Sequence, residues 1–261
     1  MKKKKKTKNY GLKIDEIKPE DYVFGSILSP VPFEEINPDG DWTSYLPVRE
    51  LQNFNGTETY ACVSFSILNC IETLIKKKYN EEKNYSDRFL AAISGTKEGG
   101  NSPQIVCEFL RKIGVVPEEL WPFDDKILNR NGYYAPIPPK LYELAREFNT
   151  EWEFKHEFVP STDEAIEKAL KCSPLGISVY AWQERGNMYY KPEGVVDNHF
   201  TTLIMTKNGQ YKRVFDSYDN FIKDYEWDTK HSVIKRFYVS KRIKKKSWLD
   251  YLKDWFREIW K

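Results

Sequence analysis

The sequence predicts an α+β fold in which a helical part comes first and a strand-rich part follows. Between residues 61 and 113, apolar residues recur at three- and four-residue steps, which is the spacing of amphipathic helices. After residue 174 the pattern changes to short β-branched and aromatic runs separated by Gly, Asn and Asp, which is typical of strands. Helices followed by strands indicate two segregated lobes.

Each expected element has its own local signals. The first helix ends in three consecutive lysines, which suit the negative C-terminal end of a helix dipole. The second has Pro103 in its first turn and Gly114 directly after its end. Five prolines between residues 9 and 47 favour an extended or irregular segment there. The expected helices begin near Ala61 and cover 103–113, 139–148 and 162–171, and the expected strands cover 175–180, 200–205, 211–215 and 233–239.

The charge is segregated along the chain, although the net charge is only +2 over 261 residues. Residues 1–8 contain six lysines and no acid, and residues 241–261 contain eight basic and three acidic side chains, which leaves 9–240 with a net charge of −9. We therefore divide the chain into four parts. They are a basic tail and extended segment (1–40), a helical lobe (41–135), a β-rich lobe (136–240) and a basic amphipathic C-terminal helix (241–261).

Several classes of protein are excluded by what the sequence lacks. Its apolar runs are too short to span a bilayer, and the lysine run at the start is not followed by the apolar stretch of a secretory signal. Four cysteines without a CxxC pair form neither a disulfide scaffold nor a zinc motif, and no glycine-rich phosphate loop occurs. We expect a cytoplasmic protein without a cofactor, with no specific nucleic-acid partner, and with His156 and His231 at the surface.

Cys62 is the candidate nucleophile. It precedes the apolar stripe of the first helix by one turn, so its sulfur is expected near the amides and the positive dipole end of the helix. That position lowers the pKa of a thiol. Cys70 and Cys107 lie inside helices and have no such environment.

His199 and Asp216 are the candidate base and its partner. His199 opens an apolar strand, and Asp216 lies 17 residues later at the end of the next strand, after a turn at Asn208-Gly209. Two antiparallel strands joined in this way bring the start of one near the end of the other. A thiol, a base and a group that orients the base are the components of nucleophilic catalysis.

The residues around these three positions resemble the papain-like cysteine peptidases. In that family a Gln precedes the nucleophilic Cys, which opens a central helix. Cys62 and His199 are 137 residues apart, within the roughly 130–150 residues typical of the family. The matching segments, in family order between residues 41 and 240, are Asp41-Trp42, Gln52, Ala61-Cys62-Val63-Ser64-Phe65-Ser66, Gly99-Gly100 before Ser102-Pro103, Trp121-Pro122-Phe123, Asn198-His199 and Phe215-Asp216-Ser217-Tyr218.

The resemblance implies a papain-like α+β fold, with a helical left lobe, an antiparallel β-barrel-like right lobe and the active-site cleft between them. It also implies hydrolysis of peptide bonds in a polypeptide substrate through an acyl-enzyme on Cys62. His199 would be the general base, Asp216 would orient it, and Gln52 with the Cys62 backbone N–H would form the oxyanion hole. Substrate would be bound by Gly99, Gly100 and Asn198, the glycines allowing a strand to approach closely.

The chain departs from the family pattern at several points. Only Ala61 and Cys62 fit the local signature around the nucleophile, and the segment from Gln52 to Cys62 is longer than usual. Asp216 replaces the usual Asn, the glycine-rich segment after it is absent, and the early disulfide partners are missing, which fits a reducing compartment.

Two other functions remain open at this stage. A Cys–His–Asp site also serves other acyl hydrolases and transferases, such as peptidoglycan amidases, endopeptidases and transglutaminase-like enzymes. Alternatively, the fold is retained as an inactive structural or docking module. The Trp-rich stripe and lysines of residues 241–261 fit attachment to a membrane surface or a protein partner, or packing against the chain's own domain.

Overall fold

The computed structural model describes residues 8–242 and Trp255. The fold class is confirmed, because helices dominate the first half of the described chain and one mixed sheet dominates the second. Most of the C-terminal segment 241–261 lies outside the described residues, so its helix stays a prediction, and the boundaries of the four parts also stay predictions. Among the described residues, no helix combines the length and apolar character needed to cross a membrane.

The central helix is α1, Cys62–Tyr79, and its residues from Cys62 to Ile75 are all buried. A helix buried on every side needs packing partners all round, and α1 has them in α2 (Asp87–Ile93), α3 (Pro103–Ile113) and the sheet. Side chains cap the two shorter helices, as Ser86 accepts from the Phe89 N–H and Ser102 from the Ile105 N–H. The remaining α-helices are α4 Arg130–Tyr133, α5 Pro139–Glu151 and α6 Asp163–Leu170.

Eight strands form one open sheet in the order β1-β8-β2-β5-β6-β7-β4-β3, which is not closed into a barrel. Pairing is antiparallel except between β4 and β7. The strands are β1 Trp152–Phe158, β2 Leu175–Val179, β3 Glu184–Arg185, β4 Met188–Tyr189, β5 His199–Lys207, β6 Tyr211–Phe215, β7 Ile222–Glu226 and β8 Ile234–Lys241.

The packing of α1 on the sheet positions the site. The Thr202 hydroxyl on β5 donates to the Ser66 carbonyl on α1 over 3.2 Å, and Cys70 Sγ lies 3.8 Å from the same hydroxyl. The start of the helix therefore lies beside the start of β5, which are the positions of Cys62 and His199.

The expected helices and strands are confirmed at their positions, but several short elements were not anticipated. Helix α2 is seven residues long, which is too short for a clear periodic pattern. In β7 the buried positions are Lys223 and Tyr225 and the other three are half-buried, so the strand has no clear apolar alternation. The surface prediction for two histidines is wrong. His156 and His231 are both buried. Hydrogen bonds offset the cost of removing their polar rings from water, from His156 to Glu108 at 3.2 Å and from His231 to the Ser178 carbonyl at 2.7 Å.

Candidate active site

Cys62 is the first residue of α1 and is fully buried. Burial raises the pKa of its thiol well above the usual range, and the negative charges of Glu58 and Asp216 add to the rise. The backbone N–H groups of Phe200 and Val63 act in the opposite direction but do not offset burial. The prediction of a lowered thiol pKa is therefore wrong for this closed state, since the helix dipole is outweighed by loss of solvent.

His199 and Asp216 form a buried pair, with His199 Nε2 2.7 Å from Asp216 Oδ1. The pairing of β5 with β6 brings them together as the sequence predicts, because Thr202 lies opposite Phe215. The other ring nitrogen, Nδ1, is buried and has no hydrogen-bond partner. Cys62 sulfur accepts from the next backbone N–H along the chain, that of Phe200. Nδ1 of His199 therefore has no partner, while the Cys62 thiol contacts the backbone of the residue next to His199.

Asp216 is ionised in this environment. Burial opposes ionisation, but His199 and the Lys223 ammonium, 3.0 Å from Oδ2, more than offset it and lower the pKa of Asp216 to about 2. Two further donors contact the carboxylate, namely the Ser217 backbone N–H at 2.7 Å and the Trp182 indole N–H at 3.2 Å. The carboxylate is therefore fixed in position and keeps its charge.

Gln52 is buried, and its side-chain amide points into the cleft. Its Nε2 lies 2.9 Å from the Tyr10 carbonyl oxygen, 2.8 Å from the Tyr218 hydroxyl and 3.0 Å from Glu58 Oε1. Its Oε1 accepts from the Ser217 hydroxyl over 2.9 Å, which fixes the orientation of the amide. The role of Gln52 in an oxyanion hole stays a prediction.

Residues 8–13, which we call the cleft segment, run between Asn198 and Asn101 and are hydrogen-bonded to both. The Tyr10 N–H donates to the Asn198 carbonyl over 2.9 Å, and the Asn198 side chain donates to the Lys8 carbonyl over 2.8 Å. Further along, the Asn101 N–H donates to the Gly11 carbonyl and the Lys13 N–H to the Asn101 carbonyl, as a short parallel bridge. Asn198 thus contacts the chain's own N-terminal segment, and its binding of a substrate stays a prediction.

The two predicted glycines contribute differently. A Cβ on Gly100 would lie 1.8 Å from the Gly11 carbonyl oxygen, so only glycine permits this approach. Gly99 accepts a 3.3 Å hydrogen bond from the Asn9 side chain and has open space around its Cα. The main-chain pairing with the chain's own segment is made by Asn101, and substrate binding by Gly99 and Gly100 stays a prediction.

Sequence reasoning missed a group of residues that line the cleft. Tyr10, Trp182 and Tyr218 place aromatic rings around His199, and Lys223 reaches Asp216 from β7. Of these four residues, only Tyr218 had a signal in the sequence, because it stands where the papain-like family has Trp. Among the residues described, no group of three or more His, Cys, Asp or Glu side chains is placed to hold a metal ion.

The comparisons with known structures agree with this architecture. The chain resembles xylellain, a cysteine protease from Xylella fastidiosa, with a TM-score of 0.63 at 16% identity over 93% of this chain and 99% of the other. It also resembles digestive procathepsin L 3 of Tenebrio molitor larval midgut, with a TM-score of 0.61 at 14% identity over 87% and 75% of the two chains. Bromelain from Ananas comosus gives 0.56 at 18% identity over 75% and 96%.

These likenesses show that the chain has the papain-like cysteine protease fold. No family model and no curated protein matches the sequence.

Proposed function

We propose that this chain is a papain-like cysteine peptidase that hydrolyses peptide bonds in polypeptides. The observation that carries the proposal is the buried His199–Asp216 pair, on the strand whose next residue, Phe200, donates its backbone N–H to Cys62 sulfur. Papain-like proteases with the same fold support the reaction class.

The catalytic steps follow from these positions. His199 Nδ1 takes the thiol proton as Cys62 sulfur attacks the substrate carbonyl carbon, and Asp216 stabilises the imidazolium that forms. Gln52 Nε2 donates to the oxygen that becomes negative. The imidazolium then protonates the leaving amine, which leaves an acyl group on Cys62. Water, deprotonated by His199, attacks this thioester, releases the acid product and regenerates the thiol.

The cleft segment must leave before a substrate can enter, because Tyr10 already occupies the donor of Gln52 and the carbonyl of Asn198. Because Tyr10 packs against His199 and Cys62 sulfur contacts the adjacent Phe200 N–H, we expect this departure also to give solvent access to the thiol. Since burial is the largest cause of the raised thiol pKa, opening lowers that pKa towards the range in which a thiolate forms.

Substitution of the nucleophile tests the proposal. We expect Cys62→Ala to abolish hydrolysis of an unfolded protein substrate, because no acyl-enzyme can form, in both the parent chain and a Tyr10→Ala chain with a weakened cleft segment. Cys172→Ala, which removes a buried thiol remote from the site, serves as the matched control and should keep the parent's rate. A Cys62→Ala chain as active as its parent would sink the proposal.

An inactive structural or docking module is the second candidate function. It is favoured by the raised thiol pKa and by the lack of a hydrogen bond from His199 Nδ1 to any group. Labelling with an epoxide inhibitor of the E64 type, which is bound in the bromelain structure, separates the two functions. An active site alkylates Cys62 faster than Cys107 once the cleft is open, whereas an inactive one labels neither selectively.

A further inference from the structure

Three rings in the cleft form an aromatic cage, composed of Trp182, His199 and Tyr218. The Trp182 and Tyr218 ring centroids are 4.7 Å apart at 69°, and His199 lies 5.2 Å from Trp182 and 5.5 Å from Tyr218. These tilted and edge-on arrangements are those in which aromatic pairs attract one another. Trp182 and Tyr218 thus lie next to the imidazole of His199.

The Tyr10 side chain fills this cage. Its ring centroid is 4.7 Å from that of Trp182, 5.6 Å from Tyr218 and 6.0 Å from His199. The Lys8 ammonium lies over the outer face of the ring at 4.5 Å. The cage is therefore matched in size and geometry to one aromatic side chain.

The walls of the cage are held by the candidate catalytic residues themselves. The Trp182 indole N–H donates to Asp216 over 3.2 Å. The Tyr218 hydroxyl accepts from Gln52 over 2.8 Å and donates to Glu58 over 2.6 Å. Because both walls are fixed by groups that do not belong to the cleft segment, we expect the cage to persist when the segment leaves.

The backbone of Tyr10 is held by two hydrogen bonds, one from its N–H and one to its carbonyl. Its N–H donates to the carbonyl of Asn198, which the resemblance assigns to substrate binding. Its carbonyl accepts from the side chain of Gln52, which the resemblance assigns to the oxyanion hole. Backbone and side chain are thus held together at a single position in the cleft. The chain shows, in its own segment, which side chain this position accepts.

From this geometry we propose that the aromatic cage is a specificity site, and that the preferred polypeptides place a Phe, Tyr or Trp side chain in it. This inference rests on the proposed peptidase function for its meaning in catalysis. The recognition itself is a binding property, so it can be measured on a chain that hydrolyses nothing.

The first measurement is the rate at which iodoacetamide alkylates Cys62 in the full chain, with the modified site identified by mass spectrometry. Removing the side chain in Tyr10→Ala should speed alkylation at least about 30-fold, because aromatic contacts and buried area are lost together. Tyr10→Phe should stay within about threefold of the parent, since the ring contacts remain. Equal rates for the Ala and Phe variants would overturn the proposal.

The second measurement tests recognition of a separate peptide. A capped peptide with the sequence of residues 8–13, Lys-Asn-Tyr-Gly-Leu-Lys, is added to the Tyr10→Ala full chain, and protection of Cys62 is titrated. Peptides with Phe in the third position should protect within about threefold of the Tyr peptide, Leu about tenfold less well, and Ala at least about 30-fold less well. Equal protection by Tyr and Leu peptides, or protection by none, would contradict an aromatic specificity site.

A variant of the cage provides the control. In a Tyr10→Ala chain that also carries Trp182→Leu, the advantage of the Tyr peptide over the Ala peptide should fall below about fivefold, and Trp182→Phe should restore most of it. Replacing Leu12 in the peptide by Ala should weaken protection by the same factor in all three proteins, because Leu12 forms its backbone bridge with Asn101, which is not part of the cage. A Tyr advantage unchanged by Trp182→Leu would show that the cage is not the recognising element.

Cleavage of peptides is measured separately from binding. If the Tyr10→Ala chain is a peptidase, it should cleave peptides that offer an aromatic side chain to the cage at least about tenfold faster, by kcat/KM, than matched Ala peptides. If it cleaves none of them, the proposed function fails while the protection experiments still decide the binding proposal. If it cleaves both equally, the specificity inference fails although the peptidase stands.

Discussion

Asp216 shows at the scale of one residue why a carboxylate replaces the usual amide in this chain. His199, Lys223, Trp182 and the Ser217 N–H all contact its two oxygens within 3.2 Å. An Asn would offer one acceptor oxygen to these four groups and would leave the Lys223 ammonium buried without a counter-charge. The substitution and the buried lysine therefore belong together.

The placement of the candidate residues was predictable from order along the chain, but their environments were not. The positions of Cys62, His199 and Asp216 follow from one helix start and one strand pair, which are local patterns. The thiol is buried among residues far away in sequence, such as Phe200 on β5 and Asp216 after β6. Burial by a distant segment is a tertiary property, and spacing within the sequence does not encode it.

Gly100 carries a prediction at this scale. We expect Gly100→Ala to displace the cleft segment, because the new Cβ would lie 1.8 Å from the Gly11 carbonyl oxygen. Iodoacetamide should then alkylate Cys62 at least about tenfold faster than in the parent, a shift of about 1.4 kcal/mol in the opening equilibrium.

Gly99→Ala is the matched control, since Gly99 has a similar positive φ of 88° against 82° but no atom within 4 Å of the added Cβ. Both variants carry the same backbone penalty of about 1 kcal/mol. Alkylation that rises equally in both would mean that backbone strain, and not the clash, opens the cleft.

At the scale of elements, the start of α2 gathers buried and half-buried carboxyl groups. Burial raises the pKa of Glu118 to about 8, the charge of Glu50 adds to the rise, and the Phe123 N–H, Ser86 and Arg88 act against it. Asp87 and Glu72 are also buried, and their pKa values are raised well above the usual range by burial and by the same acidic neighbours. These side chains come from three separate elements, so the cluster could not be seen in the sequence.

Glu118 gives this cluster a measurable pH dependence. Its carboxyl is protonated in the folded chain up to pH about 8 but only to about 4.5 when unfolded, so the unfolded state binds fewer protons across this window. The free energy of unfolding should therefore fall as pH rises from about 4.5 to about 8, by at most about 1.4 kcal/mol per pH unit from this group, and level off above it.

Urea denaturation of variants over this pH range measures the effect. Glu118→Gln should flatten the slope, because the amide does not titrate yet can still accept from the Phe123 N–H. Glu119→Gln alters the adjacent, exposed carboxylate and should leave the slope as it is. A slope identical in the parent and Glu118→Gln would contradict the assignment.

The order of elements was more accessible to prediction than their pairing. Helices α1, α3, α5 and α6 carry apolar stripes, α3 and α6 also begin after the capping residues Ser102 and Thr162, and the strands β2, β5, β6 and β8 carry β-branched runs. By contrast, β1 follows α5 without a turn residue between them and pairs with β8, more than 75 residues later. A strand whose partner lies so far away has no local signal for its place in the sheet.

For the whole molecule, residues 8–42 act as a strap across both the helices and the sheet. The cleft segment pairs with Asn101 before α3, the Phe24 N–H donates to the Phe158 carbonyl at the end of β1, and the Trp42 N–H donates to the Ile204 carbonyl on β5. Irregular backbone can run through a buried region only when its polar groups are paired in this way. The strap thus joins parts of the chain that the sequence predicts as separate lobes.

Trp42 is the anchor of this strap and carries the prediction at this scale. Its side chain is fully buried, and its indole N–H donates to the Leu170 carbonyl at the end of α6 over 2.7 Å. We expect Trp42→Ala to lower the free energy of unfolding by about 3–5 kcal/mol, through lost burial, a cavity and an unpaired carbonyl. Leu128→Ala, at a side chain that is 75% exposed, should change it by less than about 0.5 kcal/mol.

Native-state hydrogen exchange decides whether the strap joins the two lobes energetically. Because Trp42 contacts β5 and α6 while the same strap pairs beside α3, amides in α3 and in β5 should lose protection together in Trp42→Ala. Faster exchange in β5 with α3 unchanged would mean that the lobes open independently. In that case Trp42 would stabilise the sheet alone, and the cleft between the lobes could open without unfolding either of them.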